Sequence, residues 1–400
     1  MSYPTFSLFT GAGGLDIGLE KAGFEVRACV EIDDDCRRTL QTNTKRMRWG
    51  NKVRFFRDIN EITANDLLQA AKLLPGEAYL LAGGPPCQSF STAGNRQSIR
   101  DPRGSLLYKY VEMVGDTRPR FFVFENVRGI LSAAIKHRPL KKRGPSYPPL
   151  EPEEELGSLL KQVILPLFRD ELGYEVVFGL VSAADYGVPQ DRQRVLFIGS
   201  RDRELGTEPY ARKGIEMPIK FLLPPTHNRK GKNGLPTWKT LGDALEGLHD
   251  PKPEYTPYSP ARKQVFELIP PGHNWRYIRD NFDDEFTQKV MGGAYSSSGG
   301  RVGFWRRLSF DKHCPTLVTS PTQKATGLCH PIETRPLSVR EYARIQQFSD
   351  EYEFAGTTAS KYRQIGNAVP IGLSHYVGKR LIEIIETDST EDKSAFASVI

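Results

Sequence analysis

The sequence predicts an α/β protein with two parts: a parallel sheet flanked by helices, and a smaller, irregular second region. Short apolar runs alternate with helical patterns through the first two hundred residues, as in parallel α/β sheets. From about residue 205 to about residue 335 the alternation is lost, and Pro, Gly, Ser and aromatic residues dominate. A chain of 400 residues also exceeds what one hydrophobic core usually serves.

In chain order, the apolar runs predict strands at 6–9, 25–31, 78–82, 121–125, 175–181 and 194–199. Helical patterns lie at 15–22, 62–73, 106–114 and 159–172, and they return at 338–348 and 371–387. We therefore predict a first domain over residues 1–204, a second over 205–335, a return to the first over 336–388, and a disordered tail over 389–400. Residues 137–155 are rich in Pro, Lys, Arg and Glu and are predicted to be a surface insertion.

The net charge of +7 is concentrated in the predicted second domain. Residues 201–335 contain 21 Lys and Arg against 15 Asp and Glu, which accounts for +6 of the total. Binding of a polyanion and a merely solvated surface both explain such an excess.

The five cysteines are odd in number and widely spaced, which argues against a disulfide framework and for a reducing compartment. A zinc site built from the pairs 313–314 and 329–330 has suitable ligand types but no C-x-x-C spacing, so it is disfavoured. We find neither a signal peptide nor an apolar run long enough for a membrane span, and we expect a cytoplasmic protein.

A glycine-rich turn, FTGAGG at residues 9–14, follows the first strand, where an open α/β sheet binds nucleotide-like ligands. The dinucleotide fingerprint requires a third small residue, and Asp16 occupies that position, which disfavours NAD. Glu31 ends the second strand and can accept hydrogen bonds from ribose hydroxyls, while Asp58 can meet an adenine amino group. These residues favour an adenosyl ligand, although this turn alone would also fit a purely structural role.

Three further segments carry chemistry at predicted strand ends. Residues 81–90, LAGGPPCQSF, place Cys87 on a stiff diproline turn. The alternative of a small buried hydrophobe is disfavoured by the polar Gln88 and Ser89 beside it. The apolar run FFVFENV ends on Glu125, and a buried strand normally ends on Glu only where the charge is paired or used. QDRQR, residues 190–194, reads by itself as a charged turn.

Together these motifs resemble those of the C5-cytosine DNA methyltransferases, particularly bacterial modification and phage-defence enzymes. The resemblance runs from about Thr5 to Leu381 and rests on FTGAGG, VEID, GGPPCQSFS, FENV, QDRQR, RPLSVREYARIQQF and QIGNAVP in the family's order. It implies a Rossmann-like S-adenosylmethionine-dependent methyltransferase domain, a target-recognition domain over residues 205–335, and a cleft for double-stranded DNA between them.

The resemblance also implies residue roles. Cys87 is the expected nucleophile, Glu125 the acid at N3 of cytosine, and Arg192 and Arg194 hold the base. The expected S-adenosylmethionine contacts are Phe9, Gly11, Gly13, Gly14, Glu31, Ile32, Asp58, Ile59, Pro86, Leu106 and Asn367. The expected DNA contacts are Gln88, Ser91, Asn95 and Arg96 in a mobile loop over residues 88–100. Independently of the resemblance, the basic charge and polar composition of residues 205–335 make Arg306 and Arg307 the candidate base readers.

The chemistry accounts for these residue types, because carbon 5 of cytosine becomes nucleophilic only after a thiolate adds to carbon 6. We expect a monomer that protects host DNA in a restriction-modification or phage-defence system, and we leave open a cognate nuclease acting on the same site. A tRNA cytosine-5 methyltransferase is the alternative, but the long basic segment favours DNA. A catalytically dead binding protein is disfavoured by the intact Cys87 and Glu125.

Overall fold

The computed structural model describes residues 2–47, 49, 52–86, 105–296 and 302–397. A seven-stranded sheet lies at its centre. The strands of this part of the chain are β1 (Tyr3–Leu8), β2 (Phe24–Val30), β3 (Arg54–Phe56), β4 (Leu80–Gly83), β5 (Phe121–Asn126), β6 (Glu175–Ser182), β7 (Gln190–Asp191), β8 (Gln193–Ser200), β9 (Arg306–Arg307), β10 (Cys314–Pro315) and β11 (Leu328–Cys329). The central sheet has the order β3-β2-β1-β4-β5-β8-β6.

One strand corrects the prediction of a parallel sheet. β1 to β5 pair in parallel, but β8 lies between β5 and β6 and is antiparallel to both. The connection from β6 to β8 spans only residues 183–192. A parallel crossover needs a dozen or more residues, so this short connection forces the antiparallel arrangement.

Some helices pack on the two faces of the sheet, and others belong to the second region. The α-helices are α1 (Gly14–Ala22), α2 (Asp34–Asn43), α3 (Ala64–Ala71), α4 (Ser105–Thr117), α5 (Glu208–Ala211), α6 (Ile219–Leu222), α7 (Leu241–Leu245), α8 (Pro260–Glu267), α9 (Trp275–Asn281), α10 (Asp284–Met291), α11 (Val339–Ile345), α12 (Thr358–Asn367) and α13 (Ile371–Ala397). The helix predicted at 159–172 forms as two π-helical segments, Leu160–Ile164 and Leu167–Glu171. The prediction omitted α2 and α12, whose sequences are dominated by polar residues.

The sheet is the middle of three layers, as the alternation along β5 shows. Phe122 and Phe124 enter the core under α3 and α4, whereas Phe121 and Val123 enter the core that includes residues of α1 and α13. Successive side chains of a strand point to opposite faces, so an apolar run such as this one is buried on both sides.

The C-terminal segment packs against the helix that follows β1. α13 packs on α1 so closely that a Cβ on Gly18 would lie 2.0 Å from Ser374 Oγ. α13 continues to Ala397, beyond residue 389 where the predicted tail begins, and residues 398–400 lie outside the described residues. No Pro or Gly interrupts residues 379–397, so the sequence contains no signal that would end the helix earlier.

The second region, between β8 and α11, is built from helices of four to eight residues and two-residue strands. It contains a small core of its own around Phe266, Trp275, Ile278 and Trp305. The segment at 137–155 carries short 3-10 helices and is mostly exposed, and it is anchored by an ion pair of Arg138 with the buried Glu154. Within the described residues, no helix is long and apolar enough to cross a membrane.

Candidate active site

The glycine-rich turn joins β1 to α1 and needs its glycines for two reasons. Gly13 has φ of +79°, a left-handed conformation that glycine adopts without strain. Gly14 lies against the segment that precedes α13, where a Cβ would come within 2.4 Å of the carbonyl oxygen of Val369. The turn therefore brings the N-terminus of α1 into direct contact with the C-terminal segment.

Glu31 connects this turn to the end of β2. One carboxylate oxygen accepts a hydrogen bond from the backbone N–H of Gly11 at 2.6 Å, and the other accepts from that of Asp33 at 2.8 Å. Burial raises the pKa of Glu31. Each carboxylate oxygen can accept more than one hydrogen bond, so Glu31 can hold the turn and still bind ligand hydroxyls.

A cavity of about 460 Å³ opens at this edge of the sheet, a size typical of small-molecule sites. The residues that line it include nine of the predicted site residues: Phe9, Gly11, Gly14, Glu31, Ile32, Pro86, Glu125, Arg194 and Asn367. It also contains residues that were not predicted as site residues, among them Asp16, Asp33, Cys36, Asn126, Arg363 and Gln364. Of these, Gln364 is the first residue of the QIGNAVP motif and Arg363 directly precedes it, which was the available signal for them.

Four predicted cofactor residues lie outside this cavity in the described part of the chain. Gly13 caps α1, and Ile59 is buried in the core. Asp58 accepts hydrogen bonds from the backbone and side-chain amides of Asn60, and Leu106 packs half-buried against the core. None of these four residues lines the cavity.

Glu125 and Arg194 form an ion pair at the side of the cavity. Arg194 Nε lies 2.6 Å from Glu125 Oε1, and both side chains are 12% exposed. Arg194 Nη1 donates to the carbonyl of Gln193 at 2.7 Å, whereas Nη2 makes no hydrogen bond to a described residue. The pairing follows from topology, since β5 and β8 are neighbours and both residues lie where the strands meet the cavity.

The diproline turn is fixed to the same strand end. Asn126 Nδ2 donates to the carbonyl oxygen of Pro85 at 3.1 Å. A Cβ on Gly84 would lie 2.9 Å from Glu125 Oε2, so glycine at this position lets the turn approach the carboxylate. Residues 87–104 lie outside the described residues, and with them the predicted nucleophile and DNA contacts Cys87, Gln88, Ser91, Asn95 and Arg96.

Arg192 does not lie where its predicted role of holding the base would require. Its side chain is 1% exposed, and its guanidinium donates to the carbonyls of Leu317 at 3.0 Å and Gly366 at 2.6 Å. It does not line the cavity. The guanidinium connects β7 and β8 to the second region and to α12, so of the two arginines we retain only Arg194 in the candidate site.

A second cavity of about 740 Å³ lies in the second region and is basic. Its charged and polar lining includes Asp191, Arg229, His273, Asn274, Arg306, Lys312 and His313. Arg306 is half-buried, burial lowers its pKa, and no described carboxylate pairs with it. Arg229 and Lys312 belong to the basic segment but were not singled out from the sequence.

Arg307 borders the same cavity, but its guanidinium does not support the predicted role as a base reader. It is 5% exposed and donates to the carbonyls of Phe266, Pro331 and Ile332 and to Thr334 Oγ1. These bonds occupy both terminal nitrogens. Arg307 therefore holds the second region together.

The histidine and cysteine pairs considered for zinc do not form a metal site in the described residues, where no group of three or more His, Cys, Asp or Glu could hold a metal ion. Cys314 and Cys329 are buried and free. Burial raises the pKa of Cys314 to about 12 and that of Cys329 to about 11, so both remain protonated near neutral pH.

Comparison with known proteins places this geometry in a family. The family model described as C-5 cytosine-specific DNA methylase matches residues 3–383. The chain is 37% identical over 383 residues to the type II methyltransferase M.Sau96I of Staphylococcus aureus, covering 96% of this chain and 76% of the relative. It is 34% identical over 390 residues to the type II methyltransferase M.Eco47II of Escherichia coli, covering 96% and 80%.

Solved structures agree on the fold. A protein encoded within an Escherichia coli prophage superimposes with a TM-score of 0.61 at 24% identity, covering 96% of this chain and 99% of that one. The match to the family model and the identity to the relatives extend over nearly the whole chain. The chain therefore belongs to the C-5 cytosine-specific DNA methylases and is a DNA cytosine-5 methyltransferase of the restriction-modification type.

Proposed function

We propose that the protein transfers a methyl group from S-adenosylmethionine to carbon 5 of a cytosine within a short duplex DNA sequence, through covalent addition of Cys87. The observation that carries the proposal is the Glu125–Arg194 ion pair, which lines the same cavity as the glycine turn and Pro86. A binding pocket for an adenosyl ligand and a polar pair suited to a pyrimidine thus lie in one continuous space.

The residues of the cavity fit S-adenosylmethionine. The glycine turn leaves room for close approach of a ligand to the backbone, and Glu31 is available to ribose hydroxyls. Asp16 presents a buried carboxylate that makes no hydrogen bond of normal geometry to a described residue. When bound, this cofactor supplies an electrophilic methyl group. The chain's own residues must then make carbon 5 of cytosine nucleophilic.

Cys87, directly after Pro86 in the sequence, would add as a thiolate to carbon 6 of the ring and leave electron density at carbon 5, N3 and O2. Glu125 would share a proton at N3, and Arg194 would donate to O2 through the nitrogen that is free of described partners. Carbon 5 takes the methyl group, a base removes the carbon-5 proton, and the thiolate leaves as the double bond re-forms. Because the target cytosine must lie outside the duplex for this reaction, we propose that it is flipped out of the helix.

We propose that the second region, residues 205–335, recognises the DNA sequence. Its basic cavity adjoins the catalytic motif, because β10 pairs with β7 and Thr316 Oγ1 donates to the carbonyl of Asp191 at 2.7 Å. A protein that marks one sequence in this way would protect host DNA from a nuclease specific for the same site.

The covalent step is tested with Cys87→Ala and with duplex DNA that contains 5-fluorocytosine at the target. Carbon 5 of this analogue cannot lose its fluorine, so the wild type should be trapped as a denaturation-resistant complex when S-adenosylmethionine is present. Cys87→Ala should lose both trapping and methyl transfer. Cys36→Ala is the matched control, since Cys36 lines the cavity but is buried, and it should still be trapped. Turnover by Cys87→Ala would refute the mechanism.

A further inference from the structure

Asp16 is a buried carboxylate that the proposed methyl transfer does not use. It lies in the first turn of α1, lines the cavity, and is 0% exposed. Neither of its carboxylate oxygens makes a hydrogen bond of normal geometry to a described residue, and the nearest donors are the Ser7 hydroxyl and the backbone N–H of Asp16 itself. A buried, unpaired carboxylate costs several kcal/mol unless a cation or donor reaches it. This cost suggests that a ligand supplies the missing partner.

The surroundings of Asp16 contain no described cation that could serve. Its neighbours are Ser7 on β1, whose hydroxyl contacts Thr10 Oγ1 at 3.0 Å, and Cys29 on β2. Glu20, Glu31 and Tyr352 complete the set, and on α13 His375 hydrogen-bonds to the backbone at Gly18. The two arginines that line the cavity are engaged elsewhere, Arg194 with Glu125 and Arg363 with Asp33.

We propose that Asp16 binds the α-ammonium group of the amino-acid moiety of S-adenosylmethionine, an inference that rests on the proposed function. The ligand carries two positive groups, the sulfonium and the ammonium, and only the ammonium keeps its charge through the reaction. A carboxylate at the sulfonium would stabilise the reactant more than the transition state and so slow methyl transfer. A carboxylate at the ammonium binds substrate and product cofactor equally, without this penalty.

The position of Asp16 agrees with this assignment. It follows the glycine turn on α1, whereas the Glu125–Arg194 pair that would face the cytosine belongs to β5 and β8. The third small residue of a dinucleotide fingerprint would stand at position 16. An aspartate at this position favours a ligand that carries a positive charge over one that carries a pyrophosphate.

The test is calorimetric titration of the full-length chain with S-adenosylhomocysteine, which retains the ammonium, and with 5′-methylthioadenosine, which lacks it. Asp16→Asn should weaken S-adenosylhomocysteine binding by about 10- to 100-fold, typical of losing a charged hydrogen bond. Binding of 5′-methylthioadenosine should change less than about threefold, and this unchanged affinity also shows that the variant is folded. Glu20→Gln is the matched control, because Glu20 is buried one turn further along α1 and does not line the cavity.

Proton linkage provides a second readout. Burial raises the pKa of Asp16 to about 6, so about half of the free protein carries a proton there at pH 6. An arriving ammonium favours the carboxylate, and S-adenosylhomocysteine should release a proton to the buffer near pH 6. Near pH 8 Asp16 is already ionised, so this proton release should be absent there. The release near pH 6 should also vanish in Asp16→Asn and with 5′-methylthioadenosine.

The outcomes separate the two proposals. If the wild type binds S-adenosylhomocysteine and Asp16→Asn binds it equally well with the same proton exchange, the assignment of Asp16 is wrong while the proposed function stands. If the wild type binds neither ligand, the cofactor assignment itself fails.

Discussion

Arg192 and Arg194 stand two residues apart in one motif, and the structure predicts opposite consequences for the same substitution at each. Arg192→Lys replaces a planar group that bonds two buried carbonyls with a single ammonium that cannot reach both. Leaving one buried carbonyl unpaired costs about 1–3 kcal/mol. The ammonium is also harder to bury than the guanidinium, so we expect a total loss of about 2–4 kcal/mol in the free energy of unfolding.

Arg194→Lys keeps a positive charge beside Glu125, so neither charge of this pair, which is 12% exposed, is left unpaired. We therefore expect a change in stability of less than about 1 kcal/mol. The planar fork that could donate to O2 is lost, which should lower the rate of methyl transfer by roughly 10²- to 10³-fold, as for loss of one donor to a developing oxyanion.

The assay combines differential scanning calorimetry with single-turnover transfer of tritiated methyl groups, measured well below the unfolding temperature of both variants. Arg192→Lys should unfold at a lower temperature and retain a rate per folded molecule within about tenfold of the wild type. Arg194→Lys should show the reverse pattern. If both variants lose the same amount of rate and unfold at the same temperature as each other, the separate roles assigned to Arg192 and Arg194 are wrong.

Two other predictions concern the base and the DNA sequence. Glu125→Gln should lower single-turnover methyl transfer by roughly 10²- to 10⁴-fold with little change in DNA affinity measured by fluorescence anisotropy; weaker binding at an unchanged rate would make Glu125 structural. Arg306→Ala should relax sequence preference by about 1–3 kcal/mol in competition between cognate and single-substituted duplexes, whereas Lys312→Ala should weaken all duplexes alike and reduce the salt dependence. A uniform loss for Arg306→Ala would assign it to phosphate contacts.

The sequence predicted the sheet and the glycine turn because both depend on local rules. Apolar runs of strand length and glycines at a strand end are visible without tertiary information. Their common position at one sheet edge follows from the parallel arrangement of β1, β2, β4 and β5, whose carboxyl ends meet there. The positions of Glu31 and Glu125 beside the cavity follow from the same rule.

The roles of individual arginines could not be predicted, because they depend on which side of the backbone each side chain lies. Arg306 and Arg307 are adjacent on β9 and therefore point to opposite sides, one into the basic cavity and one into the interior. Arg192 and Arg194 would share a face on a regular strand, but Arg192 lies between β7 and β8, where the strand is interrupted. Sequence spacing contains neither the interruption nor the buried carbonyls that fix these guanidinium groups.

The contacts of Arg192 bear on how sequence recognition and chemistry are connected. Its guanidinium joins the carbonyl of Leu317, in the second region, to that of Gly366, next to the cavity residue Asn367. Because Arg194 follows two residues later, the segment around Leu317 and the Glu125–Arg194 pair are connected by a short stretch of chain and these two hydrogen bonds. The second region carries most of the net charge and has a core of its own. It is nevertheless bound to the first domain by the buried hydrogen bonds of Arg192 and by the pairing of β10 with β7. Recognition residues such as Arg306 can thus vary around a fixed junction, whereas a substitution at the junction itself, such as Arg192→Lys, lowers the stability of the connection between the second region and the sheet.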